Sequence, residues 1–149
     1  MRFRSTRDER LTAGFGEALE QGLAPDGGLY VPTEWPRREA GSFGMRESLA
    51  GIGAKLLAPF VAGDPLAQSL PDITSEAFDF PAPVVALGSA GRLAVLELFH
   101  GPTAAFKDFG ARFLAASLTR LRGQASRPLT ILVATSGDTG GAAAEAFRD

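Results

Sequence analysis

The alternation of strand and helix patterns in its second half constrains the fold of this chain most strongly. Residues 107–121 have helical spacing, residues 129–134 suit a buried parallel strand, and residues 140–148 begin another helix. Residues 84–98 precede them as two apolar runs around Gly88-Ser89-Ala90-Gly91, which predicts a hairpin. This order predicts an α/β domain with a parallel sheet and right-handed crossovers. A sheet with so few strands would leave an apolar edge open, so we expect an incomplete domain, the front part of a longer protein.

The N-terminal half has a different, mainly helical pattern that ends at Phe80-Pro81-Ala82-Pro83, which we interpret as a joint. The sequence therefore predicts a small N-terminal domain over residues 1–80 and the first part of an α/β domain over residues 81–149. We expect two helices in the N-terminal domain, over residues 11–21 and 46–61.

Turn-forming residues mark the boundaries of these N-terminal elements. Thr12 is a candidate cap for the first helix, and Gly22 follows the end of that helix. Residues 24–32 are expected to form a turn and then a short extended segment. Pro65 begins a further helical segment, which Pro71 is expected to break.

Composition and charge exclude several classes of protein. The hydrophobic fraction of 45% and the charged fraction of 21% are typical of a soluble globular protein. A formal net charge of −2 provides no basic field for nucleic acid, and no apolar run is long enough to span a bilayer. With no cysteine and one histidine, disulfides, thiolate metal sites and multi-histidine metal sites are excluded. The charged N-terminus lacks the apolar core of a signal peptide, so we expect the protein in the cytoplasm.

Lys107 lies in the first of two dense runs of special residues. Only two of the fifteen basic residues are lysines, and this one is flanked by aromatic residues in Phe106-Lys107-Asp108-Phe109. An amine in a partly apolar site can lose its proton and form a Schiff base with a carbonyl compound. The alternative is a solvated lysine at a helix start between two core phenylalanines. His100 is either a base or, as is more common for such a histidine, a hydrogen-bonded structural residue.

The second dense run is Ala134-Thr135-Ser136-Gly137-Asp138-Thr139-Gly140-Gly141. A predicted strand ends here and a helix begins, so free N–H groups, hydroxyls and glycines favour an anion such as a phosphate or a carboxylate. The run fits neither a Walker loop nor a dinucleotide fingerprint. Asp138 would repel an anion, so we expect it to face a donor or a cofactor hydroxyl. The alternative is an ordinary strand-to-helix turn with a capping serine or threonine.

Both runs resemble segments of the threonine synthase family. Leu96-Glu97-Leu98-Phe99-His100-Gly101-Pro102-Thr103, followed by Phe106-Lys107-Asp108-Phe109-Gly110, is similar to the pyridoxal-phosphate lysine segment, and residues 134–140 are similar to the substrate loop. Ser5-Thr6-Arg7, residues 17–32, and Phe78 with the joint resemble the N-terminal domain and the passage between domains. The resemblance covers nearly the whole chain, in the right order. It is strongest to the longer bacterial and fungal type, which carries this N-terminal domain.

The resemblance implies a fold-type II enzyme that uses pyridoxal 5'-phosphate. Lys107 would hold the cofactor as a Schiff base and act as general base and acid on the substrate. Ser136, Gly137, Asp138 and Thr139 would bind the substrate α-carboxylate, with Asp138 also near the ring hydroxyl of the cofactor. O-phosphohomoserine and water would give threonine and phosphate, through γ-elimination and β-addition of water. The complete protein would be a monomer or a homodimer without nucleic-acid or membrane partners.

Three hypotheses stay open on the sequence alone. The first is a threonine synthase present as its N-terminal part, because the family's cofactor-phosphate loop and pyridine-nitrogen partner would come after Asp149. The second is a related fold-type II lyase or dehydratase, such as one that releases a keto acid. The third is a non-catalytic remnant, which the absent loop favours and the intact Lys107 segment opposes. In an enzyme, Thr103 would help to shape the site.

Overall fold

The computed structural model describes residues 1–88, 92–123 and 128–148. Its N-terminal part holds a small antiparallel sheet of three strands, in the order β2-β1-β3. The strands are β1 (Phe3–Ser5), β2 (Thr12–Ala13) and β3 (Tyr30–Pro32).

Five α-helices account for most of the regular structure in these ranges. They are α1 (Phe15–Gln21), α2 (Leu49–Leu57), α3 (Leu70–Ala77), α4 (Lys107–Arg122) and α5 (Asp138–Ala146), with short 3-10 turns at Ala40–Ser42 and Pro65–Ala67. None of the helices in the described ranges is long and apolar enough to cross a membrane.

The first helix begins later than the sequence predicted. Thr12 is paired with Arg4 in the sheet, so its assignment as the cap of a helix from residue 11 is wrong. Gly14 occupies the cap position instead, and its N–H donates to Glu17 Oε2 at 3.2 Å. Gly22 follows the last helical residue with a φ of +70°, as predicted, because a left-handed conformation there suits glycine.

The structure confirms the predicted helical segments around residues 46–65 and corrects the prediction for Pro71. α2 lies inside the predicted 46–61 segment, and Ser48 Oγ caps it by accepting the Gly51 N–H at 3.1 Å. Pro65 begins a helical turn, as predicted. The expectation that Pro71 breaks a helix is wrong, because it lies in the first turn of α3, where no intrahelical N–H donor is required.

The predicted hairpin is present as β4 (Val84–Leu87) and β5 (Leu93–Leu96). The two strands pair antiparallel with Val84 opposite Leu96. Residues 89–91 of the predicted turn lie outside the described residues. Side chains on both faces of the hairpin are exposed.

Residues 129–134 form no strand in the described part of the chain, which differs from the prediction. Their side chains are exposed, and Leu132 is 89% exposed. A parallel strand needs a neighbour to complete its hydrogen bonds, and the described strands all pair antiparallel within their own sheets. The structure is thus α/β with small sheets, and the described residues do not show the parallel sheet that the sequence predicted.

The helix α4 packs on the N-terminal part through its aromatic face. Ala116 of α4 forms the buried core with Leu66 and Ile73, and partly buried apolar side chains pack around them: Phe15, Leu19, Phe113 and Leu121. Phe109 approaches Phe80 with ring centroids 4.8 Å apart. These contacts confirm the predicted apolar face of α4 and fix the helix that begins at Lys107.

Arg112 reinforces the contact between α4 and the end of α3. Its Nε donates to the Ala77 carbonyl at 3.1 Å, and its Nη2 pairs with Asp79 Oδ1 at 2.8 Å. Arg120, about two turns further along α4, pairs with Glu76 Oε2 at 2.9 Å. Together these bonds resist rotation of α4 about its axis.

Two N-terminal runs that resemble the family meet in one hydrogen-bond network. The buried Ser5 donates its hydroxyl to Asp26 Oδ1 at 2.8 Å, and Arg7 Nη1 donates to the Asp26 carbonyl oxygen at 3.0 Å. The Gly28 N–H, with help from the Ser5 hydroxyl, holds the pKa of Asp26 below its usual value. The network joins the segment after β1 to the turn before β3.

Asp64 connects two helix starts, one of them at Gly16, which lies 48 residues away from it in sequence. Its Oδ2 accepts the Gly16 N–H of α1 at 2.9 Å, and its Oδ1 accepts the Leu66 N–H at 3.1 Å. Asp64→Ala is expected to destabilise each helix start by about 0.5–2 kcal/mol, because both N–H groups lose their acceptor. Faster amide hydrogen exchange at Gly16 and Leu66 in the complete protein would measure this effect.

The exposed Asp72 provides the matched control for Asp64. It also lies in the first turn of a helix, α3. Asp72→Ala removes a similar charge and should leave the Gly16 and Leu66 amides protected. Equal protection of these amides in Asp64→Ala and in the unchanged protein would contradict the prediction.

Candidate functional site

Lys107 is the first residue of α4, and its side chain is half-buried. Its Nζ lies 4.5 Å from the centroid of the Phe106 ring. Within the described ranges, no carboxylate forms an ion pair with this amine. The amine therefore lies beside an aromatic ring, and no acid among the described residues neutralises it.

The other lysine is in a different environment. Lys55 Nζ forms an ion pair with Glu47 Oε1 at 2.8 Å. Its hydrogen bond to Glu47, together with the Gly44 N–H, holds the pKa of Glu47 below its usual value. Lys55 is thus committed to a surface ion pair, and Lys107 is the better candidate for chemistry.

A cavity of about 490 Å³ opens beside Lys107, between α4, α5 and the segment at residues 131–133. Lys107 and Thr139 supply the polar side chains of its lining. Apolar groups form the other walls, namely Phe106, Phe109, Gly110, Ala111, Leu114, Ile131, Val133, Ala143 and Phe147. A cavity of this size with apolar walls and a few polar groups is typical of a small-molecule site.

The second dense run forms the N-terminus of α5. The helix begins at Asp138, two residues earlier than predicted, and no side chain caps it. Gly137 precedes it with a φ of +152°, which favours glycine, and its N–H donates to Thr135 Oγ1 at 3.3 Å. An uncapped helix start of this kind presents N–H groups to an anion.

The structure brings together some of the predicted site residues and leaves others apart. Lys107 and Thr139 line the same cavity, although 32 positions separate them in the sequence. Ser136, Gly137 and Asp138 are exposed at the start of α5 and do not belong to the described lining. Their roles toward a substrate or cofactor stay predictions.

Asp108 is a buried acid next to Lys107, and the sequence analysis made no prediction for it. It is 1% exposed, and its Oδ1 accepts the Thr103 hydroxyl at 2.6 Å. Its spacing offered a signal, because Asp108 lies seven residues before Ala115 and therefore shares the buried face of α4. The expectation that Thr103 helps to shape the site stays a prediction.

His100 is hydrogen-bonded, which agrees with the structural interpretation of this residue. Its Nε2 lies 2.7 Å from Glu97 Oε2, and its ring lies beside that of Phe99, with centroids 4.7 Å apart. The cavity beside Lys107 is lined by other residues.

Comparisons of the sequence and of the structure with known proteins all find threonine synthases. The family described as threonine synthase N terminus matches residues 2–78. Threonine synthase of Escherichia coli strain K12 is 40% identical over 149 residues, which cover 99% of this chain and 34% of that relative. The crystal structure of the Escherichia coli enzyme matches with a TM-score of 0.88. A PLP-bound threonine synthase from Brucella melitensis matches with a TM-score of 0.87 at 41% identity, over 99% of this chain and 33% of that one.

A half-buried lysine at a helix start beside an apolar cavity is a combination found in small-molecule binders and enzymes of many kinds. The match over residues 2–78 is more specific: the chain belongs to the threonine synthase family. It spans about a third of the length of the curated relatives it matches.

Proposed function

We propose that these residues act as the N-terminal third of a threonine synthase, which converts O-phosphohomoserine and water into threonine and phosphate. The structural observation that carries this proposal is the cavity that Lys107 and Thr139 both line. Family membership supports it, because the relatives have this activity by name. The PLP-bound state of the Brucella melitensis relative supports pyridoxal 5'-phosphate as the cofactor.

Two features of the cavity suit parts of this cofactor, namely its aldehyde and its aromatic ring. Lys107 supplies a primary amine that no described carboxylate neutralises, and the apolar walls suit an aromatic ring. Lys107 would hold the cofactor through its amine, with Asp138 near the ring hydroxyl. When bound, pyridoxal phosphate supplies an electron sink that makes substrate carbanions accessible.

The side chains of this region would perform the remaining tasks. The Lys107 amine would remove and return protons at the α and β carbons during γ-elimination and β-addition of water. Ser136 and Thr139, with the backbone at Gly137 and Asp138, would bind the substrate α-carboxylate. The positive end of the α5 dipole favours an anion at that position.

Several finer assignments belong to the same proposal. Residues 1–80 would form an N-terminal domain, and residues 81–149 would begin a fold-type II domain whose parallel sheet includes residues 129–134. A pairing strand from the remaining two thirds of the enzyme would complete that sheet. The complete protein would act in the cytoplasm as a monomer or a homodimer.

The products formed from O-phosphohomoserine test the proposed function. The complete protein with pyridoxal phosphate should release threonine and phosphate in equal amounts. A keto acid in place of threonine would establish the related lyase instead. The formation of neither product in the presence of the cofactor would favour the non-catalytic remnant.

The α-carboxylate site can be tested by removing single hydroxyls. Ser136→Ala and Thr139→Val should each weaken substrate binding by about 1.5–3 kcal/mol, or roughly 10- to 150-fold in KM, because a hydrogen bond to a charged group is lost. Cofactor content should change little. Steady-state kinetics with O-phosphohomoserine and absorbance of the bound cofactor provide both values.

Ser75→Ala serves as the matched control, because Ser75 is exposed on α3 and lies outside the predicted loop. It should leave KM unchanged. Loss of cofactor with unchanged substrate affinity in Ser136→Ala and Thr139→Val would show that the loop holds the cofactor phosphate instead.

A further inference from the structure

We propose that Asp108 is a positioning residue that fixes the loop before Lys107 and thereby the direction of the Lys107 amine; this inference rests on the function proposed above. The Asp108 carboxylate is buried, with 1% of the residue exposed. Its Oδ1 accepts the Thr103 hydroxyl at 2.6 Å, and its Oδ2 accepts the Thr103 N–H at 2.9 Å. Both oxygens are therefore committed to one residue, five positions upstream.

The loop at residues 101–106 is fitted closely around this carboxylate. A Cβ at Gly101 would lie 2.4 Å from Asp108 Oδ2, so only glycine fits there without a shift. The Ala104 N–H donates to the Gly101 carbonyl at 3.0 Å. Close contact on one side and two hydrogen bonds to Thr103 on the other hold the carboxylate in one place.

Ala104 shows that the loop conformation is imposed on the local sequence. Its φ is +55°, in the left-handed region, where a residue with a Cβ costs about 1–2 kcal/mol. Such a conformation persists only when surrounding contacts determine it. The Asp108–Thr103 pair supplies those contacts directly next to Ala104 in the chain.

The arrangement separates the acid from the neighbouring amine. Consecutive helical side chains point about 100° apart, so Asp108 faces the loop while Lys107 lines the cavity. The acid nearest to Lys107 in sequence is thus bonded elsewhere. The Lys107 amine stays available for the cofactor.

The role of Thr103 distinguishes positioning from simple packing. Serine at this position keeps the hydroxyl and the N–H that Asp108 accepts, whereas valine keeps the shape and loses the hydroxyl. If the bond to Asp108 orients the site, Thr103→Ser should preserve function and Thr103→Val should not. A residue that only filled space would show the opposite preference, because valine and threonine have nearly the same shape.

The test uses the complete protein loaded with pyridoxal phosphate. Asp108→Ala and Thr103→Val should lower kcat for O-phosphohomoserine by about 10- to 100-fold, since small misplacements of a reacting group have effects of this size. KM should change far less. The visible circular dichroism band of the cofactor should also weaken, while peptide mapping still finds the cofactor on Lys107. Thr103→Ser should retain most of kcat and the band.

Asp72→Ala is the matched control, because Asp72 is an exposed acid in the first turn of α3. It should change neither kcat nor the cofactor band. The proposal is overturned if Asp108→Ala and Thr103→Val both keep the kcat and the band of the unchanged protein. If Asp108→Ala does not fold, the comparison of Thr103→Val with Thr103→Ser decides alone.

A cofactor-free measurement separates this inference from the proposed function. If the unchanged protein binds no cofactor and forms no threonine, the proposed function fails, yet the loop can still be tested. Amide hydrogen exchange at Thr103 and Ala104 should then be faster in Asp108→Ala and Thr103→Val than in Asp72→Ala. Unchanged exchange in both variants would overturn the role of Asp108.

Discussion

Replacing Lys107 with alanine in the complete protein is expected to abolish threonine formation and covalent cofactor binding. Proton transfer by a positioned side chain alone contributes about 10²- to 10⁴-fold to rate, and this variant also loses the covalent attachment. The fold should stay nearly intact, because the Lys107 amine contacts the Phe106 ring and no described carboxylate depends on it. Threonine release, cofactor absorbance and far-ultraviolet circular dichroism measure the three outcomes.

The second lysine supplies the control for this variant. Lys55→Ala removes a half-exposed side chain whose partner is Glu47. An ion pair on the surface contributes little to stability, so turnover and cofactor content should stay near those of the unchanged protein. Retention of covalent cofactor in Lys107→Ala would contradict the assignment.

The 149 residues produced on their own are expected to be inactive and to associate. The hairpin presents apolar side chains to solvent, with Val84 69% and Leu93 62% exposed, and Leu132 is 89% exposed. Apolar patches and unpaired strand edges favour association. Sedimentation should therefore find oligomers or aggregates, and no threonine should form from O-phosphohomoserine.

Substitutions on the hairpin test the cause of this association. A triple variant with Val84→Thr, Leu93→Thr and Leu96→Thr should associate less, because it replaces exposed apolar groups and keeps residues suited to strands. Leu23→Thr is the control, since Leu23 is 53% exposed outside the hairpin. A stable monomer of the unchanged 149 residues that forms threonine would contradict both parts of the prediction.

Elements with a strong local pattern were predictable from the sequence. The apolar spacing of α4 and the two runs of the hairpin gave their type and approximate bounds, because helical and strand periodicity depend on nearby residues. Thr12 and Pro71 were misinterpreted because their signals are ambiguous. A threonine suits either a cap or a strand, and a proline either ends a helix or begins one.

Residues 129–134 show where prediction from the sequence reached its limit. Their composition suits a buried strand, yet a parallel strand forms only with neighbours that accept its hydrogen bonds. The described ranges contain no such neighbour for this segment, and its side chains are exposed.

The sequence predicted only part of the candidate site. The rarity of lysine and the glycine-rich run indicated Lys107 and Thr139, which line one cavity. The bond between Asp108 and Thr103 depends on a left-handed Ala104, a conformation that an alanine does not signal in the sequence. The sequence therefore did not predict this contact, although the spacing of Asp108 on α4 indicates a buried position.

Borohydride reduction of the complete protein with bound pyridoxal phosphate, followed by peptide mass mapping, tests the central claim most directly. Reduction fixes the cofactor on the amine that holds it, and this chain offers two lysines, Lys55 and Lys107. We predict the pyridoxyl group on the peptide that contains Lys107. A label on Lys55, or a protein without any label, would contradict the assignment of this cavity as the cofactor site.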